Sequence, residues 1–299
     1  MSIPKVEHRA TGLLFGIAAY VLWGLLPLYW HYLHAATAFE ILAHRGIWSL
    51  VVCVILLSLK KQLRVVFAIV KERRKFALLA LTSALLTMNW ATYIWAVSVN
   101  RVVEASLGYY ITPLVNVALG VFIFREKLRK FQWAAVTLAA LGVLGLTIEY
   151  GSLPWIAIAL AFSWGLYTFM KKSLQLGALE TLTIETLVAL LPCLTYLLLL
   201  EHDGRAQFGQ SFWFSIALAS AGFITVVPLL LFNGAATRLP LTITGLLQYI
   251  TPTIMFLIGI LVNHEAMSIG RLIGFSAIWL ALIFLAADLL QANRSTNKN

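Results

Sequence analysis

The sequence predicts an all-α integral membrane protein with ten transmembrane helices. They form two inverted five-helix repeats, and both termini are cytoplasmic. Three observations predict it. Hydrophobic residues make up 61% of the 299 positions and charged residues only 11%, where soluble domains hold about 45–50% and about 25%. The apolar residues fall into ten runs of the length a membrane helix needs, about 20 residues. Lys and Arg then gather in every second connection. Eighteen lie at the N-terminus, 59–75, 125–130, 171–180, 237–240 and the C-terminus, against Arg101, Arg205 and Arg271 on the alternate side. The richer side is the cytoplasmic one.

The runs are 11–33, 36–58, 76–99, 103–124, 131–149, 154–170, 181–200, 212–236, 241–262 and 271–290. The first follows Lys5 and Arg9 as a signal segment would. It is too long for one and contains Pro27, so it reads as an uncleaved helix. The second holds Arg45, the third Asn89, Trp90 and Tyr93, and the fourth opens at Glu104 and contains Pro113. The seventh holds Glu185, the eighth Asn233 and the ninth Pro252. Residues 1–10 and 291–299 remain as cytoplasmic tails. The net charge of +10 sits in short connections, where it sets orientation and meets anionic headgroups rather than nucleic acid. Cys53 and Cys193 lie within apolar runs and lack metal-ligand spacing, so neither a disulfide nor a zinc site is expected.

The chain repeats itself. Tyr109-Tyr110-Ile111-Thr112-Pro113 returns as Gln248-Tyr249-Ile250-Thr251-Pro252, 139 residues later. Gly120 and Glu126 match Gly259 and Glu265 at the same offset, and Trp23-Gly24 returns as Trp164-Gly165 at an offset of 141. A five-helix unit therefore occurs twice, over 11–149 and 154–290. Five is odd, so the second copy enters the bilayer from the opposite face. That arrangement is common among secondary transporters, with a site between the halves opening to either side in turn. Duplication that merely builds a stable bundle is the alternative.

The run Glu104-Ala-Ser-Leu-Gly-Tyr-Tyr-Ile-Thr-Pro-Leu-Val-Asn116 resembles the fourth helix of the EamA family of the drug/metabolite transporter superfamily. Gly151-Ser-Leu-Pro154, Ile184-Glu-Thr-Leu187, Asn233-Gly-Ala-Ala-Thr-Arg-Leu239 and Gln248-Tyr-Ile-Thr-Pro252 are similar to its RarD-like branch. The resemblance implies ten helices in two inverted halves with a substrate site between them. It also implies no ATP-hydrolysing partner and an outward direction of transport.

Helical spacing selects candidate substrate contacts. Tyr109, Thr112 and Asn116 share one face of helix four, and Gln248, Thr251 and Met255 the matching face of helix nine. Pro113 and Pro252 remove a backbone donor and free carbonyls there. Asn89 and Tyr93 share a face of helix three, beside Trp90, while Asn233 stands alone on helix eight. Amides within a span should point inward, toward substrate or a neighbouring helix. Trp23 and Trp90 are candidates for a cavity lining, whereas Trp30, Trp133 and Trp155 read as interface anchors.

Arg45 and Glu185 stand well inside their spans, where a charge needs a cavity or a partner. One expectation pairs Arg45 with Glu104 at the outer mouth and Glu185 with Arg238 at the inner one, each pair closing one gate. The rival has Arg45 holding an anionic substrate group and Glu185 carrying a coupling proton. A static ion pair is the third. His31, His34 and His44 are too loosely spaced for a metal, and His264-Glu265 lacks a zincin's second histidine. No Asp pair, Ser–Lys dyad or mid-membrane lysine suggests an enzyme.

The function expected is secondary transport of small organic metabolites or xenobiotics across a bacterial inner membrane by alternating access. The partners are a small-molecule substrate, the lipid bilayer and protons as a candidate coupling ion, with no cofactor. Arg45 tilts the substrate toward a carboxylate and the aromatics toward an apolar body. A channel without coupling and a membrane scaffold are the alternatives.

Overall fold

The computed structural model describes residues 5–124, 130–151, 153–174, 176–239 and 247–296. Eleven helices lie among them: α1 Lys5–Tyr32, α2 Ala38–Leu59, α3 Leu63–Lys71, α4 Arg73–Ser98, α5 Val102–Phe124, α6 Lys130–Tyr150, α7 Trp155–Leu174, α8 Ala178–His202, α9 Phe212–Ala236, α10 Ile250–Leu261 and α11 Ile269–Thr296. There is no strand among the described residues. Five stretches are long and apolar enough to cross a membrane: Ala10–Tyr32, Ala38–Leu59, Arg73–Ser98, Ala178–His202 and Phe212–Ala236. Shorter apolar stretches occur in α5, α6, α7, α10 and α11. The chain is a multi-pass membrane protein.

Ten of these helices fall on the ten apolar runs; α3 does not. It lies within the basic connection 59–75. Val66 and Ile69 are buried while Val65 and Phe67 are exposed, a two-faced pattern too short to register beside flanking spans. Asn100 and Lys61 close the turns after α4 and α2 with φ of 53° and 56°. Helical structure extends into both tails, since α1 begins at Lys5 and α11 runs to Thr296.

The main packing pairs are α6 with α11, α5 with α7 and α10, α2 with α8 and α9, α1 with α9 and α10, and α4 with α7 and α8. Each joins a helix before Gly151 to one after it. The halves interlock, and whatever is buried between them is shared by both. Glycines allow the closest approaches. Gly222 of α9 lies against the Trp48–Ser49 backbone of α2, and Gly108 of α5 against Ala157 of α7.

Candidate functional site

Two clusters of buried polar groups lie between the halves, built around Arg45 and Glu185. Arg45 comes from the first half of α2 and is only 4% exposed. Its Nε donates to Thr225 Oγ1 of α9 at 2.9 Å. Its guanidinium carbon lies 3.8 Å from the centre of the Trp90 ring and 5.2 Å from that of Trp30. Cation–π contact on two indoles partly replaces the water that burial removed. Tyr29, Tyr93 and Tyr109 are within electrostatic reach of the same guanidinium, and the Tyr93 and Tyr109 rings meet edge to face at 5.9 Å.

Glu185 of α8 is 1% exposed. Its Oε1 accepts from Thr82 of α4 at 2.8 Å. Its Oε2 accepts from Tyr167 of α7 at 3.1 Å and forms an ion pair with Lys171 at 3.3 Å. Lys171 also donates to the Tyr167 hydroxyl at 2.7 Å. Both carboxylate oxygens and the ammonium are thus partnered, which a buried ion pair requires. A narrow pocket between α2, α4 and α8 is bordered by Trp90 of the first cluster and Glu185 of the second, with Gly46, Ser83, Leu86 and Cys193 also in its lining.

The other candidates fall into place around them. Asn89 is a tie between helices. Its Nδ2 donates to Leu160 O at 3.2 Å and Ser163 Oγ at 2.9 Å on α7, and its Oδ1 accepts from Tyr109 at 3.3 Å. With three bonds already made, Asn89 positions Tyr109 rather than offering a free amide. Asn89→Ala is expected to cost about 0.6–2 kcal/mol, the range for a polar tie within a bilayer, read as a lower melting temperature of the solubilised protein. Unchanged melting would remove the tie.

Thr112 turns its hydroxyl to Gly108 O of its own helix, and Thr251 reaches Tyr20 O of α1 at 2.7 Å. Trp23 packs with Tyr20 and Phe232, at 5.5 and 5.8 Å between centres, in an aromatic group of its own. Gln248 and Asn233 are half-buried. The Asn116 side chain and all of Glu126 lie outside the described residues. Pro113 is inside α5, but Pro252 is the third residue of α10. Leu247 is helical, Gln248 and Tyr249 form a turn and α10 resumes at Ile250, so the helical course is broken just before Pro252, where its ring and missing donor act.

Three further expectations are corrected. The gating pairs do not form. Glu104 pairs with Arg101 and accepts from the Ile156 N–H at the start of α7, and Glu185 takes Lys171. Arg238 donates to Gly234 O at 2.8 Å and stands over Phe15. Trp30 is not an interface anchor: it is 2% exposed and lies on Arg45, whereas Trp133 and Trp155 are exposed. Finally, α7 continues past 170, so Lys171 is drawn into the interior that sequence reading took to hold no lysine.

Sequence reasoning therefore missed Lys171, Tyr167, Thr82, Thr225 and Trp30. One signal was available. Applying the helix-one offset of 141 to Trp30 gives Lys171, and both touch the charge of their own half's partner helix. At the ends of the bundle, Glu265 accepts from the N–H groups of Val102 and Val103 at 2.7 and 3.0 Å. Burial holds its carboxyl above the usual range, while these bonds pull it back down. Among the described residues no group of three His, Cys, Asp or Glu side chains is close enough to hold a metal. His44 instead stacks on Phe208 at 4.7 Å.

An all-helical multi-pass chain whose buried charges gather between interlocked halves has the make-up of a membrane transporter. The model of the EamA-like transporter family matches residues 10–148 and again 153–287, and the chain belongs to that family. It is 45% identical to Protein RarD of Streptomyces exfoliatus, over 97% of this chain and 93% of that one. It is 41% identical to an uncharacterized transporter of Vibrio cholerae serotype O1, over 99% and 98%, and 38% identical to Protein RarD of Escherichia coli K12, over 98% and 99%. A solved crystal structure shares the fold at a TM-score of 0.60 and 19% identity, over 94% of this chain and 98% of that chain.

Proposed function

We propose that the protein is a secondary transporter that moves small organic metabolites or xenobiotics outward across the bacterial inner membrane by alternating access. In this reading ten spans form two five-helix repeats, 11–149 and 154–290, of opposite orientation, and both termini are cytoplasmic. It assigns no catalytic role to any residue.

One observation carries it. Arg45 of α2 bonds Thr225 of α9, and Glu185 of α8 bonds Thr82 of α4. Exchanging α1, α2 and α4 for α7, α8 and α9 converts the first contact into the second, and Trp30 on Arg45 into Lys171 on Glu185. The pairings α1 with α10 and α5 with α7 exchange in the same way. Two halves that can trade contacts are what alternating access needs. Opposite charges at equivalent positions make the exchange unequal in chemistry. The Arg45 side receives substrate, and Glu185 receives a coupling proton when Lys171 withdraws.

Proteoliposomes loaded with a mixed metabolite pool, read by mass spectrometry with and without a pH gradient, test this. Saturable loss of one chemical class, accelerated by the same class outside, is the expected result. Unsaturable leakage of many compounds would mean a channel, and no loss from folded protein would overturn transport altogether.

A further inference from the structure

We propose that the Arg45 cluster binds the carboxylate of a monoanionic organic acid with a flat apolar body, and not an amino acid or a cation. The inference rests on the transporter reading and names the substrate of that same site. Three donors there are buried and without a partner among the described residues: Arg45 Nη1, Tyr93 Oη and Trp30 Nε1. Arg45, Tyr93 and Trp30 are 4%, 3% and 2% exposed. Orphaned buried donors are rare because each has given up water for nothing.

All three groups donate, so their complement is a group that only accepts. The guanidinium adds a formal positive charge, and no acidic side chain among the described residues forms an ion pair with it. A carboxylate answers both demands, supplying two oxygens for the three donors and one negative charge for one positive. The indoles of Trp90 and Trp30 and the rings of Tyr93 and Tyr109 gathered about the guanidinium make a flat apolar body the best companion. An ammonium finds no place. Glu185, which borders the same pocket as Trp90, already takes Thr82, Tyr167 and Lys171, and Arg45 repels a cation. A phosphate's second charge would stand uncompensated.

A consequence follows for the transport cycle. A buried guanidinium lacking a counter-charge is costly, so the loaded protein passes through its closed state more readily than the empty one. Exchange of acid for acid should therefore outrun net efflux.

The test uses the purified full-length chain in detergent and five probes with a common phenyl body: phenylacetate, phenylacetamide, phenethylamine, phenylalanine and phenyl phosphate. Phenylacetate is expected to raise the melting temperature saturably, and the other four to do so weakly or not at all. Arg45→Gln should abolish the rise. Tyr93→Phe, which keeps the ring, and Trp30→Phe, which keeps an aromatic face of smaller size, each remove one donor and should each weaken binding about ten-fold. These two variants also keep the test alive should Arg45→Gln not fold. Equal stabilisation by the amide or the amine, or an undiminished phenylacetate effect in the two donor variants, overturns the carboxylate assignment. If phenylacetate fails while reconstituted protein still exports an uncharged solute saturably, the assignment falls and the transporter reading stands.

Discussion

Gly222→Ala is expected to leave little correctly folded protein. A Cβ at Gly222 would lie 2.2 Å from the Trp48 carbonyl carbon, 2.4 Å from its oxygen and 2.6 Å from Ser49 N. All three are backbone atoms of α2, so no side chain can rotate away and α2 and α9 must separate by about an ångström. Thr225 is one turn along from Gly222 and Arg45 one turn back from Ser49. The separation therefore also breaks the 2.9 Å bond between Arg45 and Thr225. Overpacking costs about 1–3 kcal/mol where side chains can yield, and a backbone wedge should cost more. Helix propensity pulls the other way by about 1 kcal/mol. The clash wins. Gly145→Ala is the matched control, since nothing lies within 4 Å of its would-be Cβ; there the propensity gain of about 0.5–1 kcal/mol should appear alone. Monodispersity on size-exclusion and melting temperature read both. A Gly222→Ala protein as stable as the parent would show that α2 and α9 do not pack as described.

Lys171→Met should be the most damaging single change at the Glu185 cluster. It leaves a carboxylate at 1% exposure with hydroxyl partners only, and breaking a buried pair from one side costs about 3–5 kcal/mol. Glu185→Gln strands the ammonium instead, though its amide oxygen can still accept from Thr82. The double variant removes both charges and should regain most of the stability, because well-packed neutral groups in place of a buried pair are often neutral or better. Melting temperatures of the four proteins close the cycle. If the losses simply add, the pair is not a unit. Transport by the stable double variant then separates the two roles. Parental gradient-driven efflux would make the pair structural, whereas folded protein without gradient dependence would make Glu185 the coupling group.

How much of this could be read from the chain varies from residue to residue. Arg45 and Glu185 stood out because a charge in the middle of an apolar run is conspicuous whatever the fold. Lys171 did not, because it follows the sixth run by one residue and looks like an ordinary cytoplasmic flank. Trp30 was misread for a related reason. Tryptophan near a span end is usually an anchor, and only the packing of α1 against α4 and the meeting of this ring with Arg45 of α2 turn it inward. Asn89 was rightly taken to face inward, but its three bonds depend on α5 and α7, which periodicity cannot locate. The extra helix α3 escaped because nine residues with two buried side chains give little periodic signal.

The membrane class, the apolar runs that became helices, the repeated segments and the two interior charges are all legible in the chain alone. Hydropathy, charge asymmetry and self-similarity are properties of the chain read in order, and each survives whatever the helices pack against. The tertiary structure alone decided which partner each charge meets. Thr225 is 180 residues from Arg45 and Thr82 is 103 from Glu185, and every main packing pair crosses between the halves. A buried charge is settled by whatever group reaches it first in three dimensions, so its partner is fixed by how two halves interlock and not by spacing along either one.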